Sequence, residues 1–309
     1  MACTTEKRVD ANLEAAKVKW GIKHCRIITP LADVAFSLND TYFDLNGFDP
    51  NLNQSLYYVW YNVDSNGTDP AIAGKIAVEI ALIENDSALA VATKTKAALD
   101  LLSPKLFKTE ILLGNLHIQN KFIGGVTAEL DSGVTGFTFV VGVDGIGLDL
   151  GATADAIEIS FESNSVDITS NQTGGLIIDQ ISQGVGATAT TNLIEVTKER
   201  IEALLGKVTG DTVTPVAGTT VTGGGESKLF KSLSSLGGML ILHPIRLPET
   251  DYSADWVFWK SAPNPASINF DGTAIQQLSV EFLAYIDPSK NKNINLYARG
   301  DWTQEGLDA

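Results

Sequence analysis

The segment of residues 155–192 constrains the fold of this 309-residue chain more than any other. Apolar residues alternate with polar ones in it, and they are Ile157, Ile159, Phe161, Val166 and Ile168. Acidic residues lie between them, and they are Glu158, Glu162 and Asp167. Because side chains on a β-strand point to alternate faces, this pattern predicts paired strands with one apolar and one acidic, solvated face, interrupted by a polar bend at 163–165.

The composition also favours a β-rich protein with a real core. Hydrophobic residues make up 44% of the chain, and Gly accounts for 28 residues. Many short runs are β-branched, which favours strands over helix bundles. The length predicts about two domains. We therefore expect a mainly β protein of α+β type.

The formal net charge of −15 is unevenly distributed. Residues 1–26 carry six Lys or Arg against three acids, whereas 27–150 carry six against fifteen and 151–309 carry ten against nineteen. So acidic a body argues against binding nucleic acid, which requires a basic patch. It suits a surface past which nucleic acid slides without sticking, although plain solubility is the simpler explanation.

Residues 1–26 are expected to form a charged arm, in which Leu13, Ala16 and Trp20 have the spacing of a short helix ending at Gly21. No apolar block of a signal peptide is present, and no apolar run reaches the roughly 20 residues of a membrane span. We expect synthesis in the cytosol and no membrane partner. Cys3 and Cys25 bracket the arm, and two cysteines in a cytosolic product are more often free thiols than a disulfide.

Residues 27–150 are predicted to form one α+β unit with the order βββαββ. The predicted strands are 41–45, 56–63, 75–83, 109–122 and 134–143. Asp86 or Ser87 would cap a helix that continues to Leu102. Its buried side chains would be Leu89, Ala92, Leu99 and Leu102.

Residues 151–309 are predicted to form a second unit of paired strands, a helix and late strands. Thr197 would cap the helix at 198–205, with Ile201, Leu204 and Leu205 facing inward. The Thr- and Gly-rich segment 208–227 is either a flexible surface hairpin or a loop ordered on assembly. The late strands would be 239–243, 256–260 and 277–286, and Glu281 lies on the polar side of the last one.

The sequence contains no recognisable catalytic motif. Its three histidines, His24, His117 and His243, are far apart, and a hydrogen-bonded structural role is the expectation for His243. Asn62, Asp64, Asn66 and Gly67 match the first half of a calcium loop, but Ala73 stands where the bidentate Glu belongs, so a hairpin turn explains them better. We expect no enzyme, no cofactor and no metal.

Aromatic residues crowd two predicted strands, with Tyr57, Tyr58, Trp60 and Tyr61 on one and Trp256, Phe258 and Trp259 on the other. Consecutive positions point to opposite faces, so each strand must bury aromatics on both sides. A strand inside the core is favoured for the first group. For the second, a core position and a subunit interface are equally compatible with the pattern.

The second unit resembles the tail tube proteins of long-tailed bacteriophages. The segments that carry the resemblance are LGATADAIEISFESNSVDITSNQTG, ATATTNLIEVTKERIEALLG, GGMLILHPIRL and WVFWKSAPNPASINFDGTAIQQLSVEFLAYIDP, in the family's order. The first unit is similar to a separate module of phage structural proteins, on the segment YYVWYNVDSNGTDPAIAGK and the Ala- and Thr-rich helix after it. It would be a decoration domain, either inserted between the arm and the tube body or forming an N-terminal domain.

This resemblance implies a β-barrel or sandwich with a flanking helix, six copies of which close into a ring, the rings stacking into the tail of the virion. Partners would be the chain itself, the tape measure, tail tip and terminator proteins, and DNA as passing cargo. Glu158, Glu162, Asp167 and Glu281 would face the lumen and repel DNA. The subunit interface would include Ile201, Leu204, Trp256 and Trp259.

Two other functions fit parts of the sequence. The 27–150 unit could belong to a phage decoration or adhesin protein that binds a host surface glycan through its Tyr/Trp strand. An acidic hydrolase with a carboxylate pair is the weaker alternative, because nothing singles out a pair among so many acids.

Overall fold

A computed structural model of the chain describes residues 16–125, 131–143, 145–151, 153, 156–169, 177–194, 197, 200–201, 204, 210–213, 221–224, 232–269 and 277–308. Two compact units are present: unit 1 comprises Met1–Lys19 and Asp149–Ala309, and unit 2 comprises Trp20–Leu148. The sequence placed the divisions after residues 26 and 150. The first lies earlier because residues 16–19 belong to a strand of the unit 1 sheet.

The elements follow one another as β1 (Ala16–Ile22), β2 (Cys25–Thr29), β3 (Tyr42–Phe48), β4 (Gln54–Val63), β5 (Ile76–Leu82), α1 (Ala88–Asp100), β6 (Phe107–Leu112), β7 (Asn115–Asn120), β8 (Thr138–Val143), β9 (Ile146–Gly151), β10 (Glu158–Thr169), β11 (Ile177–Leu193), β12 (Gly210–Val213), β13 (Val221–Gly224), a 3-10 helix (Leu233–Leu236), β14 (Gly238–Pro244), β15 (Trp256–Asn269), β16 (Gln277–Ala284) and β17 (Tyr297–Arg299). The prediction of a mainly β protein is confirmed.

Unit 2 contains two sheets and α1. One sheet is antiparallel with the order β6-β7-β2-β8, and the other has the order β3-β4-β5, in which β4 and β5 are parallel. The prediction of one strand at 109–122 is wrong, because β6 and β7 form a hairpin whose turn residues Leu113 and Gly114 have φ of 51° and 82°. The pattern also missed β2, which pairs with both β7 and β8.

Helix α1 begins where its capping residue predicts. The Ser87 hydroxyl accepts a hydrogen bond from the Ala90 amide at 3.3 Å, which satisfies one of the unpaired amides of the first turn. The buried face was only half predicted. Ala92 and Leu99 are buried as expected, together with Val91 and Thr95, whereas Leu89 is exposed and Leu102 half-buried.

Unit 1 is built on one sheet with the order β10-β11-β16-β15-β14-β1-β9, and β17 also pairs with β15. Among the described strands this path is open, with β10 at one edge. The helix predicted around Ala16 and Trp20 is wrong, since both belong to β1. Ala16, Val18 and Trp20 are all buried, which is the period of a strand.

Two further predictions in unit 1 agree with its described residues. The Thr197 hydroxyl accepts a hydrogen bond from the Arg200 amide at 3.3 Å, and Arg200, Ile201 and Leu204 are helical. Within the segment 208–227, β12 pairs with β13, so the hairpin alternative applies to these described strands.

The polar bend expected at 163–165 is absent, because β10 is continuous from Glu158 to Thr169.

Candidate functional site

A row of polar side chains crosses four strands of the unit 1 sheet. Glu158 of β10 is paired with Thr190 of β11, Thr190 with Glu281 of β16, and Glu281 with Asn264 of β15. Directly paired residues share a face, so the four side chains form one row, which we call the acidic row. The Asn264 amide donates to the Glu281 carboxylate at 3.4 Å. Glu162 shares this face by alternation along β10.

The opposite face of the same strands is the core of unit 1. Ala189, Val280 and Phe282 are buried there, and so is Ile157 just before β10. One apolar and one polar face is the arrangement that the alternation of residues 157–162 predicts. The sequence reading is therefore confirmed for this part of the sheet.

Asp167 does not belong to the acidic row. The pairing of β10 with β11 shifts between Asn164 and Ser165, where Gln183 of β11 is the extra residue, while β10 itself runs on without interruption. Alternation along β10 therefore places Asp167 on the face opposite Glu158 and Glu162. Its carboxylate accepts a hydrogen bond from the paired Gln180 amide at 2.7 Å. The grouping of Asp167 with the other three acids is corrected accordingly.

Strands β10 and β11 extend beyond the sheet as a two-stranded hairpin. β16 pairs with β11 only over Thr188–Leu193, so residues 177–187 of β11 pair with β10 alone. We call residues 161–169 and 177–187 the hairpin arm. Its large apolar side chains are between 40% and 58% exposed, and they are Phe161, Val166, Ile168, Ile177, Ile178, Ile181 and Val185.

The base of the hairpin arm is fixed by an aromatic cluster. The Phe161 ring lies 4.9 Å from the Tyr297 ring and 6.0 Å from the Trp256 ring, measured between centroids. The Arg299 guanidinium lies 5.5 Å from the centroid of the Trp256 ring. Stacking and cation–π contacts of this kind orient the rings as well as bury them. The arm therefore leaves the sheet in a defined direction.

A groove of about 430 Å³ opens beside the arm. Its walls include Val185 of the arm and Ile286, Ile294, Leu296 and Tyr297 of the segment that leads into β17. Arg299 also contributes to its lining. Ile286 is itself strongly exposed, so the apolar surface of the arm continues into this groove.

Two of the residues predicted for a subunit interface are buried within the protomer. Leu204 is fully buried. Trp259 is buried as well, its indole N–H donates to the Ile294 carbonyl at 2.7 Å, and the Lys290 ammonium lies 4.4 Å from its ring centroid. A side chain already covered by its own chain presents no surface to a partner, so both assignments are corrected to core. Ile201 and Trp256 are half-buried and keep some exposed surface.

His243 lies in a buried polar network, as expected of a structural histidine. Its Nδ1 is 2.6 Å from the Asp255 carboxylate, and its Nε2 is 3.3 Å from the Leu247 carbonyl. The Trp302 indole N–H donates to the other Asp255 oxygen at 2.9 Å. Burial raises the pKa of Asp255, against the opposing influence of Trp302, His243 and Lys19. The network joins β14, β15 and the C-terminal segment.

The residues of the calcium-loop match serve the backbone instead. The side-chain Oδ1 of Asn62 accepts from the Gly67 amide at 2.8 Å, and the Asp40 carboxylate accepts from the Thr68 amide at 2.6 Å. Asp64 has a φ of 49°, the left-handed conformation that Asp tolerates in turns. In the described part of the chain, no three His, Cys, Asp or Glu side chains converge as a metal site would require.

The aromatic strand of unit 2 is core, as its pattern favoured. Tyr57, Tyr58, Trp60 and Tyr61 are all buried, and the Tyr61 hydroxyl is 3.1 Å from the Thr95 hydroxyl. A glycan needs an exposed ring to stack on, and this strand offers none.

Cys25 is a free thiol, and burial raises its pKa. Cys3 lies outside the described residues.

The exposed apolar side chains in the outer part of the hairpin arm were not predicted from the sequence. Ile177, Ile178 and Ile181 show no regular alternation, and Ile and Val look alike in a sequence whether they end up buried or exposed. The signal that could have indicated these exposed apolar side chains is the presence of β-branched residues on both faces of strands that are too polar to lie inside a core.

Among the described residues, no helix combines the length and apolarity that a membrane crossing needs. Comparison of the chain with protein-family models and with curated proteins finds no match to either.

Proposed function

We propose that this chain is a structural subunit that assembles with copies of itself, and that its assembly is the tube of a phage tail. The observation that carries the proposal is the hairpin arm, whose apolar side chains are about half exposed over two strands. These side chains lie on both faces of the arm, and soluble monomers rarely leave so many large apolar side chains of one hairpin in water. A surface of this kind is typical of a subunit interface.

The backbone of the arm supports the same proposal. Among the described strands, β10 pairs only with β11, and residues 177–187 of β11 pair only with β10, so the arm has unpaired N–H and C=O groups along both edges. Exposed strand edges invite pairing with another chain. In a ring, each edge is completed by the neighbouring copy, and closure leaves no free edge.

The anchored base of the arm lowers the entropic cost of association. The Phe161 ring packs against the Trp256 and Tyr297 rings, so this end of the arm is already in place before a neighbour binds. The groove beside it is lined by Val185, Ile286 and Leu296 together with Asn293, Asn295 and Arg299, and it offers an acceptor of mixed apolar and polar character for the arm of a second copy.

In this proposal, the acidic row allows DNA to pass through the assembly. Glu158 and Glu281 lie on one solvated face with Glu162, and the chain carries a net charge of −15. If that face lines a central channel, its carboxylates repel the phosphates of DNA and let it pass without sticking. A tail tube built of stacked rings of six subunits, with DNA as cargo and other tail proteins at its ends, combines all of these features. This proposed function involves no catalytic step.

Sedimentation velocity tests the assembly. The purified chain is expected to form species heavier than the 32.9 kDa protomer, in amounts that grow with protein concentration. Assembly should also grow with ionic strength, because salt screens the repulsion between acidic copies while leaving apolar contacts intact. A species of 32.9 kDa at every concentration and salt level would refute the proposal.

A further inference from the structure

Unit 2 exposes a second group of apolar side chains, on three loops. The loop between β2 and β3 contributes Leu31, Val34 and Phe36, the turn between β5 and α1 contributes Ile83, and the loop before β8 contributes Val134. Their exposure ranges from 38% for Phe36 to 78% for Val134. We call these five residues the loop patch.

The first two loops are joined by hydrogen bonds. The Ala35 amide donates to the Asn85 side-chain oxygen at 3.2 Å, and the Asn85 amide donates to the Asp33 carboxylate at 3.1 Å. The Asp33 amide in turn donates to the Asp86 carbonyl at 2.9 Å. Val34, Phe36 and Ile83 are therefore presented by one connected piece of backbone.

The third loop is fixed in the same way. The Asp131 carboxylate accepts hydrogen bonds from the Thr135 amide at 2.7 Å and from the Gly136 amide at 2.8 Å. The Leu31 side chain lies against Gly136, where a Cβ would be 3.3 Å from its Cδ1. Leu31 thus links the two sides of the patch.

The backbone of the loop patch is held in an unfavourable conformation. Ala35, Phe36 and Val134 have φ of 50°, 64° and 56°. This left-handed region is uncommon for residues other than Gly, Asn and Asp, and a bulky or β-branched residue in it is an outlier.

The acids that border the loop patch differ in how far they reach solvent. Asp40 and Glu84 are exposed and Asp131 is half-buried, whereas Asp33 is buried and accepts hydrogen bonds from the Leu38 and Asn85 amides. Lys94 reaches this region from α1, and it pairs with Asp86 at 2.6 Å. Partial burial acts to raise the pKa of Asp86, but the Ile83 amide and Lys94 outweigh it and lower that pKa. Asp86 is therefore ionised at neutral pH.

We propose that the loop patch docks a basic amphipathic segment of another protein. Apolar side chains of the partner would cover Val34, Phe36 and Ile83. Its Lys or Arg residues would meet the accessible carboxylates of Asp40, Glu84 and Asp131. A second copy docked patch to patch would bring two acidic rims together, and an anionic membrane surface would be repelled by the rim in the same way. The patch lies in unit 2, so this interaction does not depend on the hairpin arm.

Fluorescence anisotropy with synthetic peptides tests the docking. Three labelled peptides of equal length are compared: one of alternating Leu and Lys clusters with an amphipathic helical pattern, one with Glu in place of Lys, and one with Ser in place of Leu. The Leu/Lys peptide is expected to bind at least about tenfold more tightly than either of the others. Equal binding of the Ser/Lys peptide would overturn the proposal, because charge alone would then explain it.

Two variants locate the binding. Val34→Ser, Phe36→Asn and Ile83→Ser in one chain should weaken binding of the Leu/Lys peptide by about tenfold or more, and Asn is chosen because it tolerates the φ of Phe36. Leu101→Ser with Leu113→Ser, two exposed apolar residues elsewhere in unit 2, is the control and should stay within about twofold. Unchanged binding by the first variant would overturn the proposal.

Further measurements separate the other occupants and guard against misfolding. Glu84→Lys keeps the apolar residues and reverses one exposed charge, so it should weaken binding of the Leu/Lys peptide even if the triple variant does not fold. If the triple variant changes the sedimentation of the free chain, a second copy occupies the patch; if the wild-type chain binds anionic vesicles and the variant does not, a membrane does. Either result would overturn the proposal. Loss of assembly in a variant of the hairpin arm that still binds the Leu/Lys peptide concerns the proposed function alone.

Discussion

Replacing Ile177, Ile178 and Ile181 with Thr is expected to weaken the self-association of this chain by about a hundredfold, because about 3 kcal/mol of apolar burial would be lost at each contact. The three side chains are 55–58% exposed in the protomer, so this stabilisation becomes available only when a neighbour covers them. Thr retains the β-branch and the strand preference of Ile, which keeps the arm formed. The variant should therefore fold normally and remain monomeric.

The measurement is the concentration at which heavy species first appear in sedimentation velocity. Leu101→Thr, Leu112→Thr and Leu113→Thr in one chain form the matched control, since these residues are also exposed apolar side chains but lie in unit 2. The control should assemble as the wild type does. Assembly of the hairpin-arm variant at the wild-type concentration would show that the arm is not the contact.

Replacing Asp255 with Ala should destabilise unit 1 by about 3 kcal/mol or more, because two buried hydrogen-bonding groups would lose their shared partner. The Asp255 carboxylate faces both the Trp302 indole N–H and the His243 ring, and all three side chains are buried. Ala would leave the indole N–H and one ring nitrogen without partners in a site closed to water.

Asp255→Asn is the informative comparison. The Asn carbonyl can accept from the Trp302 indole, and its amide can donate to Nδ1 of a neutral His243 whose Nε2–H donates to the Leu247 carbonyl. Every group then keeps a partner, so the free energy of unfolding at neutral pH should stay within about 1 kcal/mol of the wild type. A loss as large as that of Asp255→Ala would contradict this description.

The two variants also differ from the wild type in their response to pH. Burial raises the pKa of Asp255, so the folded chain holds a proton that the unfolded chain releases. That contribution is fully present below the ordinary aspartate pKa of 3.8 and is lost as pH rises through the raised value. Asp255→Asn should remove this dependence. The pH dependence of the free energy of unfolding of unit 1 can be measured by urea unfolding, monitored through hydrogen exchange of the β14 and β15 amides.

The alternation of residues 157–162 was sufficient to predict a sheet with one wet and one buried face. Asp167 was placed on the wrong face because the polar residues 163–165 were interpreted as a bend that restarts the alternation, whereas β10 is continuous from Glu158 to Thr169. The start of α1 could be predicted because Ser87 caps it through its own side chain. Local chemistry of this kind is visible in a sequence.

Burial depends on distant residues and was less predictable. Trp259 and Trp256 lie three positions apart and have similar sequence surroundings, yet the Ile294 carbonyl and Lys290 cover one while the other remains half-buried. The hairpin between β6 and β7 escaped notice because its turn is Leu113-Gly114, without the Asn-Gly or Asp-Gly pair that signals such turns.

Cryo-electron microscopy of the purified chain at high concentration and raised ionic strength tests the central claim most directly. We expect stacked rings around an open channel, in which the hairpin arm of each copy lies against its neighbour and Glu158 and Glu281 face the channel. Isolated protomers under all conditions, or rings whose outer wall carries Glu158 and Glu281, would contradict the account.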